Sequence, residues 1–154
     1  MSSSVEKKYS VAFGKRLPYA ELFGGVLPVI RVSLNEYVDV LALIDTGAEI
    51  SLLTTEFAPV VGISNLESGE KVEYIGLHDT VEGFRHQVRI GIEGRFIDCP
   101  VMFVEKHGLS ELGVPLILGR ERVFEQIGPI MFQEINGLKY IYLFGSEGNS
   151  TKDP

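Results

Sequence analysis

The chain has 154 residues, 45% of them hydrophobic, and a formal net charge of −7. That length holds one domain with a core and is short for two. The acidic balance excludes nucleic-acid binding through a broad basic surface, and local clusters such as Lys7-Lys8 and Lys15-Arg16 are too short to reverse it.

Cys99 is the only cysteine, so no intramolecular disulfide forms; this fits a reducing cytoplasm, the compartment expected for the protein. Residues 1–8 are polar, lack the apolar core of a signal peptide, and are expected to be disordered. No segment approaches the roughly 20 apolar residues needed to span a bilayer, so no membrane partner is expected.

In chain order, Tyr9 to Val26 mixes aromatics with Gly14, Pro18 and Gly24-Gly25 and reads as an irregular extension with at most a short strand. Ile30, Val32 and Leu34 alternate with Arg31 and Ser33, the pattern of a half-buried strand. Asn35-Glu36 turns the chain into Tyr37–Ile44, whose unbroken apolar end predicts burial on both faces. Thr54 to Gly69 is looser, with a helical turn expected near Glu56–Val60. Lys71–Leu77 reads as a strand, His78–Gly83 as a turn and Phe84–Ile92 as the return strand.

Glu93-Gly94 turns the chain again into Arg95–Val104. There Ile97, Cys99, Val101 and Phe103 share a face, and Pro100 implies an edge or a bulge. A loop over Lys106–Val114 leads to a strand at Ile117-Leu118-Gly119. A helix is expected over Glu121–Gln126, ended by Gly128-Pro129. Ile130–Glu134 and Leu138–Phe144 are strands joined by Asn136-Gly137, the strongest hairpin signal present. Gly145 to Pro154 is polar and expected to be a disordered tail. Many short strands, frequent turns and one short C-terminal helix predict an all-β, barrel-like domain over residues 9–144.

The chemistry concentrates at Leu41-Ala42-Leu43-Ile44-Asp45-Thr46-Gly47-Ala48-Glu49. An apolar run delivers a carboxylate, a hydroxyl follows it, and Gly47 permits a tight turn and close approach. Those three letters describe a buried strand ending in a turn as well as they describe a catalytic loop. Downstream stands a second motif, Ile117-Leu118-Gly119-Arg120. Taken together, in this order and at this distance, the two motifs resemble those of the retropepsin-like, or retroviral-type, aspartic proteases, over about residues 28–134.

The resemblance implies a closed β-barrel and hydrolysis of peptide bonds by water activated between two aspartates. Asp45, Thr46 and Gly47 would then be catalytic, with Ala48, Glu49, Ile75, Gly76, Leu77 and Ile117 touching substrate. Leu118, Gly119 and Arg120 would support the catalytic loop, and an Arg120–Glu49 ion pair is expected. The hairpin over Lys71–Ile92 would be the flap that covers substrate, with Gly76 and Gly83 as hinges. His78, Asp79 and Glu82 make its tip more polar than that of most relatives.

Only one Asp-Thr-Gly occurs. Asp79-Thr80 is followed by Val81, and Asp39, Asp98 and Asp153 have no glycine two residues on. One chain therefore carries half of a dyad, and a two-fold homodimer would complete it. A protein of the same fold that binds peptide or assembles as a dimer without cleaving is the competing expectation. No cofactor is expected. Nor is a metal, since His78, His86 and His107 have spacings that match no ligand motif, and Cys99 stands apart from them inside an apolar strand.

Overall fold

The computed structural model describes residues 11–22, 24–75 and 80–146. Its strands, in chain order, are β1 (Val11–Pro18), β2 (Ala20–Leu22), β3 (Gly25–Leu27), β4 (Val29–Leu34), β5 (Val38–Ile44) and β6 (Ser51–Thr54). There follow β7 (Glu70–Ile75), β8 (Thr80–Ile92), β9 (Arg95–Val104), β10 (Leu116–Leu118), β11 (Ile130–Ile135) and β12 (Leu138–Ser146), with one α-helix, α1 (Phe124–Ile127).

Three turns fix the hairpin registers. Asn35 and Glu36, Glu93 and Gly94, and Asn136 and Gly137 each place two consecutive residues at positive φ. That backbone makes a type I′ turn, whose twist matches the right-handed twist of the strands it joins. The β8–β9 and β11–β12 hairpins follow, with Ile92 opposite Arg95 and Ile135 opposite Leu138. In β4–β5 the Tyr37 N–H closes the turn onto the Leu34 carbonyl and Tyr37 is an extra residue, so Leu34 stands opposite Val38.

The main sheet has the order β4-β5-β10-β6-β9-β8-β7, and β4 also pairs with β8. Those pairings close its first six strands into a mixed barrel, parallel at β5–β10 and β6–β9 and antiparallel elsewhere. Leu34, Leu53, Ile90, Cys99, Val101, Phe103, Leu116 and Leu118 fill the interior. The unbroken apolar end of β5 is buried on one face only. Val40, Ala42 and Ile44 point inward, whereas Leu41 and Leu43 are half-buried on the outside. Pro100 falls where β9 is flanked by β8 alone, since pairing to β6 begins at Val101. An edge position tolerates the missing N–H.

Besides the one-sided burial of β5, the structure departs from expectation in four places. The segment read as irregular holds β1, β2 and β3, and β1 joins β12 and β11 in a three-stranded sheet. A bulge between Phe13 and Lys15 interrupts its alternation, which hid the strand from a period-2 reading. The helix is a single turn, Phe124–Ile127, rather than Glu121–Gln126, because Arg122 sits at φ 64° and cannot continue a right-handed helix. β12 runs on through Gly145 and Ser146, beyond the expected start of the tail.

The fourth departure concerns the turn expected at His78–Gly83. β8 already begins at Thr80, so Gly83 lies inside a strand, opposite Val72. A Cβ there would stand 2.2 Å from the Phe103 carbonyl oxygen and 3.1 Å from Met102. Glycine at this point is therefore a requirement of close approach between β8 and β9, not a hinge at a loop tip.

Candidate active site

Asp45 follows the last residue of β5, and its backbone N–H donates to the Leu118 carbonyl at 3.0 Å. Parallel pairing of Ile117 with Leu43 and of Leu118 with Ile44 sets β10 directly beside the strand that delivers Asp45. The loop then turns on itself. The Gly47 N–H donates to Asp45 Oδ1 at 2.9 Å, and the Ala48 N–H donates to the Asp45 carbonyl at 3.2 Å. One carboxylate oxygen is thus oriented by the backbone of its own loop. Asp45 is half-buried, Thr46 and Gly47 are exposed, and Ala48 is buried.

Past β10 the chain crosses tightly over the far side of that loop. Gly119 N–H donates to Ser51 Oγ at 3.0 Å, Arg120 N–H to the Ala48 carbonyl at 2.9 Å, and Glu121 N–H to the Glu49 carbonyl at 2.7 Å. Three consecutive amides clasp residues 48–51. A Cβ on Gly119 would lie 2.5 Å from the carbonyl carbon of Ile50, so only glycine permits the crossing.

The Arg120–Glu49 ion pair is not formed. Both side chains are exposed, and no salt bridge joins them among the described residues. Exposed ions gain little from pairing, about 0–1 kcal/mol, so nothing holds the two together. The neighbouring carboxylate is the one engaged: Arg85 Nη2 of β8 lies 2.6 Å from Glu121 Oε1, with both side chains one-third exposed.

Register identifies the face that surrounds Asp45. Leu43 lies two residues before it on the same face, Ile117 pairs with Leu43, Leu52 with Ile117, and Met102 with Leu52. This row leads from the carboxylate across the outside of the barrel. Ile50, Leu52, Met102 and Val104 form a second apolar cluster there, and Ile117 packs against it. Val72, Tyr74 and Val81 of the β7–β8 hairpin also pack on the cluster, so the hairpin folds over the row beyond the close contact at Gly83.

Ile75, at the end of β7, belongs to the opposite face of the hairpin and is 80% exposed. Gly76 and Leu77, and with them His78 and Asp79, lie outside the described residues. His86 and His107 sit apart, each with its Nε2 at 2.8 Å from a backbone carbonyl, of Leu66 and Pro115 respectively. Cys99 is fully buried, and burial first, then the charges of Asp98 and Glu121, push its thiol up to about 12. A thiol so placed stays protonated and is a poor nucleophile.

Sequence reasoning passed over Ser51, Leu52, Arg85, Met102 and Glu121. Ser51 carried a signal: a lone hydroxyl in the run Ile50-Ser51-Leu52-Leu53 needs a buried partner, and Gly119 N–H is that partner. Arg85 and Glu121, 36 residues apart, carried none.

A family model described as aspartyl protease matches residues 30–121, more than half of the chain. No curated protein matches in sequence. Among solved structures, that of a retropepsin-like aspartic protease from Rickettsia conorii aligns with a TM-score of 0.59, at 18% identity, over 90% of this chain and 98% of that one. The chain belongs to the aspartyl protease family and has the retropepsin-like fold.

Proposed function

We propose that the protein is an aspartic endopeptidase that works as a homodimer, with Asp45 of each copy forming the catalytic pair. The observation that carries this reading is a single Asp-Thr-Gly loop, rigidly hydrogen-bonded from behind yet exposed at Thr46 and Gly47. A two-fold axis beside such a loop brings it against its own copy. Two carboxylates about 3 Å apart share one proton, because both cannot ionise at that distance; aspartic proteases are the general example of this arrangement. The ionised member takes a proton from a water held between them, and the resulting hydroxide attacks the peptide carbonyl. The protonated member donates to the carbonyl oxygen as the tetrahedral intermediate forms. Its collapse breaks the C–N bond, with a proton delivered to the leaving nitrogen, and the pair again holds one proton.

Thr46 is assigned to bonding across the axis, and the half-buried Leu43 and Ile117, backed by the buried Leu52 and Met102, to the floor that receives apolar substrate side chains. The hairpin bearing Val72, Tyr74 and Val81 is the cover. Incubation with a diverse peptide library at several pH values, read by mass spectrometry, tests the proposal. Cleavage by the wild type, lost in Asp45→Asn and falling per chain on dilution, is the expected result. Peptides bound but left intact at every pH would make the protein a binding module of the same fold.

A further inference from the structure

The ion pair between Arg85 and Glu121 joins two parts of the molecule that the proposed reaction needs in register. Arg85 lies on β8, two residues beyond Gly83, where β8 passes too close to β9 for a Cβ. Its pairing partner in the sheet is Met102, so it stands on the same outer face as the apolar row. Glu121 is the last of the three residues whose amides clasp the Asp45 loop, through Glu121 N–H to the Glu49 carbonyl at 2.7 Å. Of the five salt bridges among the described residues, this is the one with both side chains no more than one-third exposed. Partial burial reduces solvent screening and makes the loss of one partner costly to the other.

We propose that Arg85 is a positioning residue: its guanidinium holds Glu121, and through the Glu121 N–H the catalytic loop, in fixed relation to the covering hairpin. Arg120, next to Glu121, contributes its backbone N–H to the same clasp, while its exposed side chain contributes no charge pair. The inference rests on the protease reading for its kinetic consequence, but the tether itself is a property of the fold.

The test uses the full chain and four variants: Arg85→Ala, Arg85→Lys, Glu121→Gln and the exchanged double variant Arg85→Glu with Glu121→Arg. Amide hydrogen exchange is measured at Arg120 and Glu121, with Val32 and Val40, paired across β4 and β5, as internal references. Arg85→Ala is expected to speed exchange at Arg120 and Glu121 by about tenfold, leaving the references unchanged, with Arg85→Lys and the exchanged pair recovering most of the protection. Glu121→Gln keeps the shape of the side chain and carries the same comparison should Arg85→Ala fail to fold. On peptides, loss of the tether should lower kcat about tenfold while KM changes less than about twofold, because the loop is misaligned while the apolar floor is intact.

Exchange rates at Arg120 and Glu121 that do not move in Arg85→Ala or Glu121→Gln overturn the tether. Exchange that rises at the references as well shows a general stabilising contact instead, and equally overturns it. A wild type that cleaves nothing refutes the protease reading, and the exchange comparison still decides the tether.

Discussion

Replacing Gly119 by alanine tests the crossing that holds the Asp45 loop. The added methyl would lie 2.5 Å from the Ile50 carbonyl carbon, 2.6 Å from its oxygen and 3.0 Å from the Ala48 oxygen. Carbon atoms in contact rest at about 3.5–4.0 Å, so the overlap is about 1 Å, and it falls on backbone that cannot rotate away. Relief requires the end of β10 to separate from residues 48–51, to which the amides of Gly119, Arg120 and Glu121 bond.

Overpacking costs about 1–3 kcal/mol. Loss of one buried hydrogen bond adds about 1–3 kcal/mol, so the change should destabilise by about 2–6 kcal/mol in all. Ser51→Ala, which strips only the acceptor from the Gly119 N–H, should cost about 1–3 kcal/mol. Gly108→Ala is the control: no atom lies within 4 Å of its Cβ position, and the change should stay within about 0.5 kcal/mol. Urea denaturation measures all three at one protein concentration, because dimerisation would couple stability to concentration. A Gly119→Ala midpoint equal to that of Gly108→Ala, at the same m-value, would falsify the close-crossing argument.

Other outcomes follow from the same geometry. On the proposed pairing of the two Asp45 carboxylates, cleavage should follow a bell in pH, highest in mild acid; a rate still rising to a plateau above about pH 8 would assign the chemistry to another group. Cys99 should not react with a thiol reagent until the protein unfolds. Its pKa is raised from 9.0 to about 12 in the folded state, so the unfolded chain loses that proton first; the buried thiol's stabilising contribution is whole below about pH 9 and fades as pH climbs towards 12. Cys99→Ala should lack that part of the alkaline slope, and identical slopes in the two proteins would refute the assignment. Leu52→Ala hollows the layer behind Ile117 in the proposed floor and should shift preference towards larger substrate side chains by about 1–3 kcal/mol in kcat/KM; an unchanged cleavage profile removes that layer from the substrate's surroundings.

What the sequence determined by itself was local. Asn35-Glu36, Glu93-Gly94 and Asn136-Gly137 each contain an Asn or Gly, which takes positive φ readily and needs no distant partner, whereas Glu36 and Glu93 take it because the hairpins they close require it. Alternation in β4 and in the second half of β8 set which side chains face inward, and Asp45-Thr46-Gly47 with Ile117-Leu118-Gly119 marked the loop and its neighbouring strand. Tertiary structure decided whatever depends on two segments meeting. Gly83 looked like a turn residue until β9 was seen to pass against it, and β1 appeared only through its pairing with β12. The charge next to Gly119 looked like the anchor of the loop, yet Arg120 is exposed and Glu121 is held by Arg85 from another strand. Composition gives the charges available but not the desolvation that makes one pair matter, and desolvation exists only after the barrel has closed.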